Sequence, residues 1–242
     1  MKLAARSKQS VATAAMAATS AAAAASTASG IGMTSQRTRA RMIDRLRDKG
    51  IRDERVLAAI AAVPRHIFVE EALASRAYED TALPLGFSQT ISQPFIVARM
   101  IEILRAGERE LGKTLEIGAG CGYQAAVLAQ LSDRVFTIER IEPLVAKAKR
   151  NLQAIGQKNI SVLYADGQLG LPTEAPFDTI IVAAAGLRVP PALVQQLALG
   201  GRLILPLGAA DQSLSLIERR ADGYVETRME GVRFVPLLSG VE

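Results

Sequence analysis

The sequence contains no tryptophan, one cysteine and one histidine, and these absences exclude several kinds of site. The single cysteine, Cys121, cannot form a disulfide within the chain, and together with His66 it cannot supply a zinc cluster. A Ser-His or Cys-His catalytic pair would depend on His66. That residue lies in VPRHIFVEE, a segment typical of a helix start or a surface turn. We therefore expect no metal site and no chemistry that depends on a histidine base.

Basic residues are concentrated at the start of the chain, which argues against nucleic-acid binding. Residues 1–41 contain six Lys or Arg residues and no acid, so of the formal net charge of +5 they supply +6 and the remainder −1. Six Phe and four Tyr provide few stacking platforms for bases. The body of the protein thus lacks the basic footprint of a nucleic-acid-binding domain, and we expect no nucleic-acid partner.

Residues 1–35 are rich in Ala, Ser and Thr and indicate a disordered extension. Lys2, Arg6 and Lys8 before the alanine run resemble a weak secretory signal, but the run is a poor apolar core for a membrane span. A start codon assigned too early, with Met33 as the internal start, is an alternative. Export or anchoring by the extension is another. We expect a monomeric, cytoplasmic protein with no membrane partner.

From residue 36 onward the pattern changes from helical periodicity to strands that alternate with helices after residue 106. Predicted strands cover 113–117, 134–139, 160–164, 177–182 and 202–206, and helices cover 94–105, 123–131, 143–155 and 190–197. This alternation predicts an α/β fold, a doubly wound, mostly parallel Rossmann-like sheet. Three strand-like segments without helices between them, 213–218, 224–229 and 232–237, indicate antiparallel strands that close the sheet. One further helix is expected within 64–78.

A glycine-rich loop follows the first of these strands. Glu116 precedes Gly118, Gly120 and Gly122 in EIGAGCG. Glycines let the backbone turn tightly and let a ligand approach, and ligands of doubly wound sheets bind at the carboxyl ends of strands. The GxGxG spacing is one residue shorter than a dinucleotide fingerprint. With the preceding acid, it resembles the first motif of S-adenosylmethionine-dependent methyltransferases.

Two further acidic residues follow the next two strands. Glu139 ends the second strand, where a carboxylate can accept both ribose hydroxyls of a nucleotide cofactor, a signal that NAD enzymes share. Asp166 and Gly167 follow the third strand, at the position where methyltransferases contact the adenine; an ordinary Asp-Gly turn is the alternative. These features in order predict that the cofactor is S-adenosyl-L-methionine.

The residues at the end of the fourth strand restrict which chemical groups can accept the methyl group. They read VAAAG at 182–186, without the Asp/Asn-Pro-Pro-Tyr motif common in amine-directed methyltransferases. The acid that metal-dependent catechol-type enzymes carry there is also missing. The acceptor therefore needs neither amine positioning by that motif nor a divalent metal.

The segment from Tyr78 to Met100, YEDTALPLGFSQTISQPFIVARM, places a polar turn before an apolar helical pattern. Serine followed by Gln-Pro is a strong signal for a helix start, so local sequence alone makes Ser92 a helix cap. Thr90, Ile91 and Ser92 would then lie on the loop that leads into the helix.

The same segment resembles the signature of the protein-L-isoaspartate O-methyltransferases, which carry a Gln-Thr-Ile-Ser-Gln-Pro core upstream of the glycine loop. Further segments resemble that family in the same order: VLAAIAAVPRHIFV, LEIGAGCGYQAAVLAQL, APFDTIIVAAA, LALGGRLILPLG and VRFVPL. The resemblance covers about residues 38–240. It implies methyl transfer from S-adenosyl-L-methionine to the free α-carboxylate of L-isoaspartyl residues in damaged proteins and peptides, which starts their conversion back to L-aspartyl.

The resemblance also implies roles for individual residues. Ser92 would be the active-site serine, and the residues before it would line the cofactor: Gln89, Thr90 and Ile91. A C-terminal segment would lie beside the substrate, where its backbone could pair with an extended peptide: Val232, Arg233, Phe234 and Val235. Arg233 would meet a negative substrate group or remain a solvated arginine. Cys121 stands where many members have serine, which would make the glycine loop oxidisable.

The chemistry of the acceptor agrees with what the sequence lacks. A carboxylate with a pKa of about 4 is already ionised at neutral pH and needs no general base. It needs positioning against the methyl group and loss of hydration, so we interpret Ser92 as a hydrogen-bond donor to it.

We expect one domain over 36–242, with a helical substrate side (36–105) and a cofactor-binding sheet (106–242). A small-molecule or RNA methyltransferase and a non-catalytic cofactor-binding module are the alternatives.

Overall fold

The computed structural model describes residues 34–242, so the predictions for the alanine-rich extension lie outside the described residues except at residues 34 and 35. An N-terminal helical part precedes the sheet. It contains α1 (Gln36–Asp48), α2 (Glu54–Ala62) and α3 (Pro94–Leu104). Within the described part of the chain, no helix is long and apolar enough to cross a bilayer.

The segment between α2 and α3, for which a short turn and one further helix are predicted within 64–78, contains no α-helix. It forms two 3₁₀ helices, Arg65–Phe68 and Glu71–Arg76, because Val69 and Glu70 between them adopt extended conformations. The break lets Phe68 pack edge-on against Tyr123 of the sheet domain, at 5.6 Å between ring centroids. A tertiary contact thus overrides the helical pattern in this segment.

A short hairpin leads into α3. Its strands, β1 (Leu83–Gly86) and β2 (Gln89–Ile91), pair in antiparallel register. Phe87 and Ser88 form the turn with φ values of 54° and 55°, a left-handed conformation that suits the right-handed twist of a hairpin. The residues before Ser92 therefore lie on a strand, where a loop was predicted.

Seven strands form the main sheet, whereas the sequence pattern predicts eight. In chain order they are β3 (Lys113–Ile117), β4 (Arg134–Glu139), β5 (Ile160–Tyr164), β6 (Phe177–Val182), β7 (Leu197–Leu207), β8 (Gln212–Arg220) and β9 (Gly223–Val232). Three helices accompany them: α4 (Tyr123–Leu128), α5 (Glu142–Ala154) and α6 (Pro191–Gln195). The spatial order is β5-β4-β3-β6-β7-β8-β9. The first five of these pair in parallel, and β8 and β9 are antiparallel.

The predicted strand over 232–237 does not form. β9 ends at Val232, and the chain beyond it makes one isolated bridge, between Ala185 and Pro236. The Gln212 side chain hydrogen-bonds both backbone groups of Phe234. Its Oε1 accepts the Phe234 N–H at 2.6 Å, and its Nε2 donates to the Phe234 carbonyl at 3.1 Å. A side chain therefore replaces the strand partner that the pattern predicted.

Both faces of the central strands are buried. In β6, Ile180 and Val182 belong to the core on one face, whereas Ile181 belongs to the core on the other. Leu203 and Ile204 of β7 alternate in the same way. Burial on both faces explains why these strands read as continuous apolar runs in the sequence.

The chain order creates a crevice at one edge of the sheet. From β3 the chain proceeds outward to β4 and β5, then crosses to β6 on the other side of β3. Ile117 at the end of β3 lies in register with Val182 of β6 and Ile138 of β4. The carboxyl ends of these strands diverge at this switch point, which is where open α/β sheets bind ligands.

One buried ion pair anchors the helical part. Arg105, whose side chain is 1 % exposed, donates from Nε to Asp53 Oδ2 at 2.8 Å. The other oxygen of Asp53 caps α2 by accepting the N–H groups of Arg55 and Val56, at 2.9 and 3.2 Å. Asp53 therefore joins the start of α2 to the end of α3.

We predict that Asp53→Ala lowers the free energy of unfolding by about 4 kcal/mol, because it removes a helix cap and leaves a buried guanidinium without its carboxylate. Urea denaturation measures the change. Glu54→Ala is the matched control, since Glu54 pairs with Arg47 on the surface and should matter far less. Equal losses in the two variants would contradict the role given to Asp53.

Candidate active site

A cavity of about 1230 Å³ opens at the carboxyl edge of the sheet. Gly118 and Ala183 line it where β3 and β6 end, and Glu139 and Gly167 line it after β4 and β5. Single-ligand pockets usually measure roughly 300–1,000 Å³. The larger volume leaves room for a nucleoside cofactor and part of a second reactant.

Most residues singled out by the sequence line this one cavity. They are Gln89, Thr90, Ile91, Ser92, Gly118, Gly120, Glu139, Gly167, Val232, Arg233, Phe234 and Val235. Three others are absent from the wall: Glu116, Gly122 and Asp166. The structure thus brings the serine turn, the glycine loop and the C-terminal segment together, although they lie far apart in the sequence.

The glycine loop has the conformation that its glycines allow. Gly118, Gly120 and Gly122 have φ values of 93°, 54° and 89°, which L side chains rarely adopt. A Cβ at Gly122 would lie 3.2 Å from Leu152 of α5. Gly122 therefore permits the close packing of α4 on α5, which is a structural role.

Glu139 joins the glycine loop to the end of β4. Its Oε2 accepts the Gly120 N–H at 2.8 Å, and its Oε1 accepts the N–H groups of Arg140 and Ile141 at 2.8 and 3.0 Å. The side chain is nearly buried and still lines the cavity. The position of this carboxylate at the cavity is thus fixed by three hydrogen bonds.

Asp166 holds a segment that sequence reasoning missed. Its Oδ1 accepts the Gln168 N–H at 2.8 Å, and its Oδ2 accepts the Gly240 N–H at 2.6 Å. Arg140 binds the same segment, since its carbonyl accepts the Glu242 N–H at 2.7 Å. Residues 237 and 238 of this segment line the cavity. No local signal in the sequence connects it to β4 and β5.

Ser92 is half-buried, lines the cavity and does not cap α3. Its hydroxyl makes no hydrogen bond to any residue of the described chain, and the cap position is taken by Gln93, which makes no side-chain cap bond. The Phe95 N–H in the first turn is instead accepted by Asp80 Oδ1 at 2.9 Å. The prediction that Ser92 is the helix cap is wrong, because an acceptor from a distant segment occupies that role.

Glu116 lies beneath the glycine loop, fully buried. Its Oε2 accepts a hydrogen bond from Thr137 Oγ1, while Oε1 has no partner among residues 34–242. Burial raises the pKa of Glu116 to about 8, with the Thr137 hydrogen bond opposing and the charge of Glu139 adding to the rise. Glu116 is therefore protonated at neutral pH. Gln124, which sequence reasoning also missed, lines the cavity. Neither its Nε2 nor its Oε1 has a hydrogen-bond partner among residues 34–242.

Cys121 lines the cavity but is 2 % exposed. Burial raises the pKa of its thiol to about 11. Thiolate is the reactive form, so the expectation that this residue makes the loop oxidisable is not supported. His66 contacts the Tyr78 hydroxyl through Nδ1 at 2.7 Å and is absent from the cavity wall. Across residues 34–242, no group of three or more His, Cys, Asp or Glu residues could hold a metal ion.

A doubly wound sheet with antiparallel final strands, a GxGxG loop and a following carboxylate defines a Rossmann-like methyltransferase of the S-adenosylmethionine-dependent class. Residues 37–242 match the family described as protein-L-isoaspartate(D-aspartate) O-methyltransferase. The chain belongs to this family.

Relatives agree with this assignment. A protein-L-isoaspartate O-methyltransferase from Dechloromonas aromatica is 70% identical over 213 residues, which cover 88% of this chain and 99% of the relative. One from Aromatoleum aromaticum is 61% identical, covering 87% of this chain and 96% of the relative.

Solved structures are similar as well. One protein-L-isoaspartate O-methyltransferase has a TM-score of 0.76 and 28% identity, over 84% of this chain and 67% of that one. A Plasmodium falciparum structure described as such an enzyme, in complex with S-adenosyl-L-homocysteine, has a TM-score of 0.73 and 25% identity, over 82% of this chain and 97% of that one.

We predict that Glu116→Gln flattens the dependence of stability on pH. The folded-state pKa of about 8 exceeds the unfolded value of about 4.3, so the folded protein binds more protons between them. Stability then falls as pH rises through that window. Between about pH 5 and pH 8 the wild type should lose on the order of 3 kcal/mol more than the variant, measured by urea denaturation.

Glu71→Gln is the control for this series, because Glu71 is exposed in a 3₁₀ helix. It should keep the slope of the wild type. A Glu116→Gln slope as steep as the wild-type slope would show that Glu116 does not titrate in this window.

Proposed function

We propose that this methyltransferase transfers a methyl group from S-adenosyl-L-methionine to the free α-carboxylate of L-isoaspartyl residues in damaged proteins and peptides, and so starts their conversion to L-aspartyl. The observation that carries the proposal is the cavity that Ser92 shares with the glycine loop. Its hydroxyl is unpaired there, in a chain that belongs to the isoaspartate methyltransferase family.

The cavity fits the cofactor on structural grounds. A Cβ at Gly118 would lie 3.4 Å from Ala183, and a Cβ at Gly120 would lie 3.4 Å from Leu85. Side chains there would fill the space in which the methionine part would lie. Glu139 would accept the ribose hydroxyls, and Gly167 would leave a flat surface for the adenine. When bound, S-adenosyl-L-methionine supplies an electrophilic methyl group on a sulfonium.

Three predicted cofactor residues act indirectly in this proposal. Glu116 is buried on β3, two residues before Gly118, and binds Thr137, and Gly122 lets α4 approach α5. Asp166 holds the segment around Gly240 over the ends of β4 and β5. Gln89, Thr90 and Ile91 line the cavity beside Ser92, where they would contact cofactor and substrate.

The residues of this chain position the acceptor and need not deprotonate it. An α-carboxylate with a pKa of about 4 is ionised at neutral pH. Ser92 would donate its hydroxyl hydrogen to one oxygen of the carboxylate and leave the other oxygen in line with the methyl group. Holding two reactants in line and removing water accounts for the rate gain.

The C-terminal segment provides a place for the peptide. Ala185 N–H binds the Val235 carbonyl and Leu237 N–H binds the Ala185 carbonyl, both at 2.8 Å. In the region that the structure describes, the Arg233 backbone and the Val235 N–H remain unpaired, so an extended peptide can pair with them. The Val232 and Phe234 side chains border this edge. Exposed Arg233 would attract an acidic group of the substrate.

We further propose one domain over residues 36–242, with 36–105 as the substrate side and 106–242 as the cofactor side. A shared core supports one domain, since the core on one face of the sheet contains Ile60 and Val97 from the helical part and Ile181 from the sheet. We also propose that the protein acts as a monomer. The formal charge of −1 outside residues 1–41 disfavours nucleic acid, and one unpaired cysteine is compatible with the reducing cytoplasm.

We predict that the protein labels an isoaspartyl peptide when labelled S-adenosyl-L-methionine is supplied. Its aspartyl twin and an RNA should remain unlabelled, and the label on the peptide should be base-labile because a methyl ester hydrolyses. Base-stable label on RNA, with none on the isoaspartyl peptide, would establish the alternative methyltransferase. Cofactor binding without any transfer would establish a non-catalytic module.

We predict that Ser92→Ala lowers kcat/KM for the isoaspartyl peptide roughly a hundredfold, the effect of losing one positioned donor at a reacting oxygen. Cofactor affinity, measured by calorimetry, should change less than about twofold, because the glycine loop is untouched. Ser75→Ala is the matched control, since Ser75 is exposed and outside the cavity. Equal activity in Ser92→Ala and Ser75→Ala would remove the donor role.

A further inference from the structure

The start of α3 is held by a carboxylate that lies 15 residues upstream of its nearest partner in the helix. Asp80 Oδ1 accepts the Phe95 N–H at 2.9 Å, and Asp80 Oδ2 accepts from Gln93 Nε2 at 2.9 Å. These partners lie one and three residues after Ser92. Asp80 therefore fixes the turn on which the cavity serine lies, although Asp80 itself is absent from the cavity wall.

Lys49 holds this carboxylate in place. Its Nζ forms an ion pair with Asp80 Oδ2 and lies 5.5 Å from the centre of the Phe95 ring. The Asp80 side chain is 9 % exposed. Burial by itself raises the pKa of Asp80, but the hydrogen bonds from Lys49, Gln93 and Phe95 outweigh it and hold the pKa below its ordinary value. Asp80 is thus a charged acceptor with three donors.

Two side chains are candidates to accept the Phe95 N–H. A serine three residues before the N–H group has the spacing of an ordinary helix cap, and Ser92 has that spacing. The first N–H groups of a helix have no acceptor within the helix and bind side chains or water instead. Asp80 occupies the position, and as a carboxylate it forms the stronger, charge-assisted bond. The Ser92 hydroxyl is therefore left unpaired in the cavity.

We propose that Asp80 is a positioning residue that takes over the capping of α3 and so keeps the Ser92 hydroxyl free to bind the substrate carboxylate. This inference rests on the proposed function of Ser92. Without Asp80, the Ser92 hydroxyl accepts the Phe95 N–H and turns away from the acceptor. The loss then appears in the transfer step and leaves cofactor binding intact.

A double-mutant cycle tests the proposal with purified full-length protein, S-adenosyl-L-methionine and an isoaspartyl peptide. Asp80→Ala should lower kcat between about tenfold and a hundredfold when Ser92 is present, the range expected for a misplaced catalytic group. In the Ser92→Ala background the same substitution should lower kcat less than about twofold, because the hydroxyl that Asp80 keeps free is already gone. Equal factors in both backgrounds would overturn the proposal.

Two further variants separate positioning from general stability. Asp80→Asn should keep a larger part of kcat than Asp80→Ala, because its amide oxygen can still accept the Phe95 N–H, although its amide nitrogen would face the donors of Lys49 and Gln93. Loss in Asp80→Asn as large as in Asp80→Ala would overturn the proposal. If Asp80→Ala does not fold, the factor by which Asp80→Asn lowers kcat is measured with and without Ser92→Ala, and equal factors would overturn the proposal. Glu79→Ala is the matched control, because Glu79 pairs with Arg76 on the surface, and it should keep wild-type kcat.

The outcomes distinguish this inference from the proposed function. A wild-type protein that does not methylate the isoaspartyl peptide would refute the proposed function. A wild-type protein that methylates it, with independent effects of Asp80 and Ser92, would refute only the positioning role. The Michaelis constant for S-adenosyl-L-methionine should stay within about twofold of the wild-type value in each variant with one substitution. A larger rise in Asp80→Ala would assign Asp80 to the cofactor side and overturn the proposal.

Discussion

The Glu139 carboxylate accepts three backbone N–H groups, and the geometry of the cavity depends on these bonds. One comes from Gly120 in the glycine loop, and two come from Arg140 and Ile141 after β4. N–H groups that converge on a carboxylate compensate for the water it loses on burial. The loop is therefore fixed before any ligand arrives. Arg140 extends the arrangement, because it also binds the segment that ends at Glu242.

A second carboxylate organises the opposite side of the cavity. Asp80 binds Gln93 and Phe95 on either side of the turn that begins α3, and Ser92 is left with an unpaired hydroxyl. The two sides suit a reaction whose nucleophile is already an anion. Such a reaction requires donors and orientation, whereas a base such as His66 would have no proton to remove. His66 instead contacts Tyr78 away from the cavity.

The sequence predicted elements that follow a regular pattern of apolar residues. It failed where a side chain from a distant segment of the chain changes the local structure. The strands 113–117, 134–139, 160–164 and 177–182 are confirmed at their predicted bounds. Three of them are buried and form apolar runs, whereas 160–164 is a half-buried edge strand. The predicted strand over 232–237 was wrong because the Gln212 side chain hydrogen-bonds the backbone N–H and carbonyl of Phe234. The short turn and single helix predicted within 64–78 are two 3₁₀ helices in the structure, and Phe68 of the first packs against Tyr123.

The sequence alone determined the sheet, the glycine loop and the family signature around Ser92, since each depends on neighbouring residues or on a regular period. Only the tertiary structure decided which polar groups are free and which are engaged. Asp166 binds Gly240, Asp80 replaces Ser92 as the cap, and Glu116 is buried and protonated. These assignments depend on hydrogen bonds and burial between segments far apart in the chain, and such contacts leave no periodic trace in the sequence.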